Sequence, residues 1–145
     1  MNKNRDNVIV RKSYLFALDI INTYKYLISE KKEYVLSKQL LRSGTSIGAN
    51  IHEAIASASK KDFIYKLGIS LKEALETSYW LNLLKDSNYI NEEKFANLNS
   101  CCHELIKTLN SIILTTKESI LNKQNPIHNS TFLIHNPLSE SHSRL

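Results

Sequence analysis

Cys101, Cys102, His103 and Glu104 stand in a row, residue types that hold metals or do nucleophilic chemistry. Spacing argues against a site. On a helix, adjacent side chains point about 100° apart, so these ligands cannot converge on one ion. Cys102 reads as core and His103 as surface, and a disulfide between sequence neighbours is strained. Glu53, Glu73 and Glu76 raise a second possibility, a carboxylate-bridged metal pair. Such bundles place a His three residues after a Glu. Here Glu53 is followed by Ala56, Glu73 by Glu76 and Glu104 by Lys107. Glutamates paired with Lys or Arg are the plainer account. Helical ribonucleases set an Arg a few residues before a His; Arg42 and His52 are too far apart for that. Ser, His and Asp are all present, but nothing in the spacing gathers them. We expect no catalytic residue, no metal and no cofactor, hence a non-enzyme.

The segment Arg42–Ala54, RSGTSIGANIHEA, is the densest in glycine and hydroxyl groups. A phosphate-cradling Walker loop would end in Gly-Lys-Ser/Thr, which is absent. Gly44 and Gly48 are four apart and share a helical face. Each costs a helix roughly 1 kcal/mol against Ala, so a close helix approach is expected in return. Asn50 and the hydroxyls of Ser43, Thr45 and Ser46 can bond nearby backbone, and a core Asn can set register.

These residues need helices to position them. Apolar residues recur at helical spacing in four stretches. The first, about Arg11 to Glu30, carries Leu15, Leu18, Ile21, Tyr24 and Ile28. The second, about Tyr34 to Ala58, carries Leu36, Leu40, Ile47, Ile51, Ala54 and Ala58. Ser59 is a predicted N-cap for the third, about Lys60 to Asp86, with Ile64, Leu67, Leu71, Ala74, Leu75, Ser78 and Leu81 on one face. Asn91 is a predicted cap for the fourth, which runs to about Leu121 on Phe95, Leu98, Cys102, Leu105, Leu109 and Ile112.

Only 3 Gly and 2 Pro interrupt 145 residues of 42% hydrophobic content, which favours helices over turn-rich sheets. The expected fold is all-α, an antiparallel up-and-down four-helix bundle over residues 11–121. Residues 1–10 read as a flexible N-terminus. Residues 122–145 read as a disordered tail, rich in Asn, Ser and His and holding both prolines. His128, His135 and His142 are seven apart there, without a helix to align them. The polar start lacks the apolar core of a signal peptide, and no apolar run spans a bilayer, so no membrane association and a cytoplasmic location are expected.

RSGTSIGANIHEA followed by SKKDFIYKLGISLKEALETSYWLNLL, Ser59–Leu84, resembles the four helix bundle protein family, also called 23S rRNA-intervening-sequence proteins. The positions that carry the likeness are Arg42, Ser46, Ile47, Asn50, Ile51 and Glu53, then Phe63, Leu67, Lys72, Glu73, Ala74, Glu76 and Trp80. His52 stands where members often carry Arg or Ala, and Ala54 where many carry Gly. The resemblance implies a bundle that assembles as a ring, commonly a pentamer. It also implies kinship with basic accessory proteins of retroelements, which contact nucleic acid and its processing enzyme. Other members are encoded within insertions in large-subunit rRNA genes. No activity is established for the family, so no catalytic residue carries over.

The net charge of +5, from 19 Lys and Arg against 14 Asp and Glu, suits a phosphate-bearing partner. Candidate RNA contacts are Lys31, Lys32, Lys38, Arg42, Lys60, Lys61 and Lys66. Lys31/Lys32 and Lys60/Lys61 flank helix ends and are expected near one another. The third helix has apolar residues beyond its main stripe, and Ile69, Trp80, Leu83 and Leu84 are the expected oligomer interface. The expected function is a homo-oligomeric, RNA-associated accessory protein. A protein-interaction scaffold without nucleic acid is the alternative.

Overall fold

A computed structural model describes residues 3–125. Four helices follow one another: α1 (Lys3–Ser29), α2 (Leu36–Ile55), α3 (Lys60–Asp86) and α4 (Glu92–Gln124). The connections are short, so consecutive helices run antiparallel. α1 packs on α2, α2 on α3 and α3 on α4, and the seam where α4 returns to α1 is the loosest of the four. The described residues thus form the expected all-α bundle.

The core residues step along each helix by alternating threes and fours. α1 buries Ile9, Ser13, Phe16, Ile20, Thr23 and Leu27; α3 buries Phe63, Leu67, Ser70, Ala74, Thr77, Leu81 and Leu84. Such spacing averages near 3.5 and keeps one seam on its neighbours along the whole helix. α4 buries Leu98, Cys102, Leu105, Leu109 and Ile112, as its pattern predicts. Cys102 is core and Cys101 exposed. The Cys102 thiol donates to the Ala74 carbonyl at 3.2 Å, and burial pushes its pKa up to about 12.

The helix starts have three different caps. Ser59 accepts from the Asp62 N–H at 3.1 Å and Asn91 from the Lys94 N–H at 2.8 Å, both as predicted. α2 has no side-chain cap at Val35 itself. Instead the buried Glu33 carboxylate accepts the N–H groups of Val35, Leu36 and Ser37 at 3.1, 2.9 and 2.6 Å. Burial raises the Glu33 pKa, but these bonds lower it more, and the carboxyl ends below its ordinary value.

Several expectations are corrected. α1 begins at Lys3, not near Arg11, so residues 3–10 are not a flexible arm. Ile9 is 1% exposed, and Asp6 in the first turn suits the helix dipole. α1 also presents a different face from the predicted one. Leu15 and Leu18 are 48% and 40% exposed, while the Ser13/Phe16/Ile20/Thr23 stripe is inside. Ser13 and Thr23 tolerate burial because each hydroxyl donates within its own helix, to the carbonyls of Val10 and Asp19. On α3, predicted Leu75 is exposed and unpredicted Phe63 buried. α2 is shorter than expected, leaving Ala58 exposed beyond it, and α4 runs past Leu121, so 122–124 are helical. The rest of the expected tail, with its histidines, lies outside the described residues.

Candidate functional site

The segment around Arg42–Ala54 forms α2's contacts with two helices at once. A Cβ on Gly44 would stand 2.8 Å from both Cγ atoms of Ile20, and one on Gly48 would stand 3.3 Å from the Ser13 hydroxyl. The glycines let α1 close on α2, the close approach their cost implied. On the α3 side, the Thr77 hydroxyl bonds that of Ser43 at 2.9 Å and Ser70 donates to the Ile47 carbonyl at 2.8 Å. Asn50 does not cross helices: its amide donates to the Ser46 carbonyl at 2.8 Å, while the Ser46 hydroxyl donates to the Arg42 carbonyl at 2.6 Å.

Ion pairs flank this polar ladder. Arg42 pairs with Glu73 at 3.2 Å and with Glu76, and Trp80 donates its indole N–H to Glu76 at 3.3 Å. Lys66 pairs with Glu53 at 2.7 Å. The bond with Glu76 raises the Arg42 pKa, and the bond from Arg42 lowers that of Glu76. Glu53 is lowered and Lys66 raised by their mutual bond. All three glutamates therefore brace α2 against α3. Among the described residues, no three His, Cys, Asp or Glu side chains gather around a common point. Ser78 lies 3.4 Å from His103 Nε2 and 3.2 Å from Asn99 Oδ1, a contact between α3 and α4.

The basic candidates separate. Arg42 and Lys66 are occupied by these ion pairs, and Lys60 donates to Ser119 at 2.7 Å. Lys32, Lys38 and Lys61 are exposed, and Lys31 lines a depression at the end of the bundle. Lys31/Lys32 and Lys60/Lys61 are not neighbours. α3 starts beside the second pair and ends beside the first, and its 27 residues span roughly 40 Å. In an antiparallel bundle the end of α1 meets the end of α3 and the start of α4, so parity puts the two pairs at opposite ends.

Of the expected oligomer residues, Leu84 is fully buried, Trp80 packs partly against the core, and Ile69 and Leu83 are half-buried. The exposed apolar surface lies elsewhere. α1 presents Val8, Tyr14, Leu15 and Leu18, α3 presents Tyr65, Leu75 and Tyr79, α4 presents Leu114 and Leu121, and Tyr34 and Val35 are exposed just before α2.

Three depressions formed by described residues lie along the loose α1–α4 seam and at the adjoining end. One of about 250 Å³ is lined by Lys12, Leu15, Phe16, Asp19, Cys101, Glu104 and Leu105, with Lys12 and Glu104 paired across it. The next, about 330 Å³, is lined by Asp19, Asn22, Thr23, Lys94, Asn97, Leu98 and Cys101. The third, at the end of the bundle, holds about 470 Å³ among Tyr26, Lys31, Asn88, Tyr89, Ile90, Asn91 and Lys94. Sequence reading missed Lys94 and this grouping. Counting helix ends would have found it, since the turns after α1 and α3 must share one end.

No helix among the described residues is long and apolar enough to cross a membrane. The family model of the 23S rRNA-intervening sequence protein matches residues 5–111. A crystal structure of a protein of unknown function from the S23 ribosomal protein family of Bacteroides thetaiotaomicron is similar, with 55% identity and a TM-score of 0.74. That alignment covers 75% of this chain and 97% of the other. A search of curated proteins found no match. Neither match bears out the kinship with retroelement proteins.

Proposed function

The chain belongs to the 23S rRNA-intervening sequence protein family, and from that premise we propose a non-enzymatic, homo-oligomeric accessory protein of the cytoplasm that associates with RNA. The observation that carries the assembly is that α1 and α3 each expose three or more large apolar side chains, more than α4 with Leu114 and Leu121. The two helices sit diagonally across the bundle, each flanked by α2 and α4. Two different faces on opposite sides suit a head-to-tail contact, which closes into a ring when the rotation allows. Five subunits is the size the family resemblance implies. The excess of Lys and Arg supports an anionic partner, and a ring multiplies each basic patch by the subunit number.

Light scattering tests the assembly. The expected mass is a small multiple of 16.6 kDa, and a clean 16.6 kDa species at micromolar concentration overturns the ring. Binding to mixed single-stranded RNA should weaken steeply with salt. The scaffold reading has one observation in its favour: Arg42 and Lys66 are spent on internal ion pairs. It prevails if RNA affinity is absent even at low salt.

A further inference from the structure

We propose that the end depression between the last turn of α1 and the α3–α4 turn binds a single nucleotide unit, a phosphate with its base. The site deepens the RNA reading above and rests on it. Of the three depressions it is the largest and the only one without a lining carboxylate; the other two carry Asp19, and one also Glu104. Its about 470 Å³ lies within the range of small-ligand sites. Lys31 and Lys94 have no ion-pair partner among the described residues, so both charges remain for a phosphate. Glu33, the buried acid at this end, is spent on the N–H groups of α2. Glu92 and Glu93, in the first turn of α4, do not line the depression.

The walls are held in place. Asn88 adopts a left-handed backbone, φ 63°, that turns the chain after α3. The N–H groups of Tyr89 and Ile90 both donate to the Leu84 carbonyl, at 2.9 and 3.3 Å, and Ile90 is buried beneath. Lys94 sits 5.5 Å above the Tyr26 ring, a cation–π contact that keeps its ammonium at the wall. Tyr89 offers a ring for a base, and stacking of this kind tolerates any base. The Asn88 and Asn91 amides supply donors and acceptors for a base edge; Asn91 uses its oxygen on the Lys94 N–H and keeps its amide hydrogens.

The same chemistry is found in RNA and in a free nucleotide, and the experiment separates them. A fluorescent single-stranded RNA is titrated with the full chain, and AMP and adenosine are followed by NMR of the tyrosine rings. Lys31→Glu with Lys94→Glu is compared with Lys117→Glu and Lys123→Glu, a pair of equal charge on exposed positions of α4 at the far end. Glu at position 94 completes an Asn-x-x-Glu capping box, so the helix is not threatened. The expected result is at least a tenfold loss of RNA affinity for the first pair against less than threefold for the second. AMP, not adenosine, should shift the Tyr26 and Tyr89 signals. Equal losses from both pairs overturn the pocket and leave the RNA reading standing. AMP binding without RNA binding keeps the pocket, as a free-nucleotide site, and removes the RNA reading. Binding of neither overturns both.

Discussion

The α2–α3 half of the bundle and the α1–α4 seam are built from similar helices but use their side chains in opposite ways. Between α2 and α3, Ser43, Ser70 and Thr77 bond across or along the interface, and Arg42, Lys66, Glu53, Glu73 and Glu76 brace its edge. Along the α1–α4 seam, depressions remain, Leu15 and Leu18 face outward, and the Lys94 ammonium lies over a ring. The residues that identify the family are largely spent on holding two helices together. Those free to meet another molecule lie on the less tightly closed side, at its end, and on the exposed α3 face of Tyr65, Leu75 and Tyr79.

The largest test of this contrast is truncation. Leu67→Ala, in the core, is expected to cost about 2–5 kcal/mol, whereas Asn22→Ala at the lining of the seam should stay within about 0.5 kcal/mol, read from urea midpoints. Similar losses at both sites would erase the distinction. Next come the glycines. Gly44→Ala pushes a methyl into Ile20 and should destabilise by about 1–3 kcal/mol. Gly68→Ala meets nothing within 4 Å and should stabilise by roughly 1 kcal/mol through helix propensity alone. A loss at Gly68 instead would place a neighbouring subunit against that face.

Glu33→Gln should cost about 1–2 kcal/mol at pH 7 by weakening the bonds to the α2 N–H groups. The native carboxyl titrates below its ordinary 4.5, so its contribution is present above that value and lost as pH falls through the lower native one. The stability gap between wild type and variant should therefore shrink below about pH 4.5. A gap independent of pH would mean that the charge is not what caps α2. The smallest effect is on the exposed ion pairs. Arg42→Ala should cost about 0.5–1 kcal/mol, because two carboxylates share the guanidinium, and Lys12→Ala across the seam nearly nothing, compared by thermal melts at low and high salt.

How much of this was legible depends on the element. The bounds of α3 and the caps at Ser59 and Asn91 could be read directly, because capping chemistry is local; its buried face was read only in part, since Leu75 proved exposed and Phe63 buried. α4's stripe was legible because periodicity is local too, down to Cys102 inside and His103 outside. α1 was not. It carries two apolar stripes, and periodicity cannot choose between them. The face inside includes Ser13 and Thr23, which read as polar until their hydroxyls are seen bonded within the helix. The end depression was missed because its residues come from two turns far apart in sequence.

The amino-acid order by itself determined four helices, most of their caps, a tight crossing at Gly44 and Gly48 and the family. These follow from contacts within a few residues and from the cost of glycine in a helix. The tertiary structure decided which face of α1 is buried, which cations are already paired and which turns meet. Those outcomes depend on close packing against Gly44 and Gly48 and on the parity of an antiparallel bundle, which sends Lys31 toward Lys94 and about 40 Å away from Lys60.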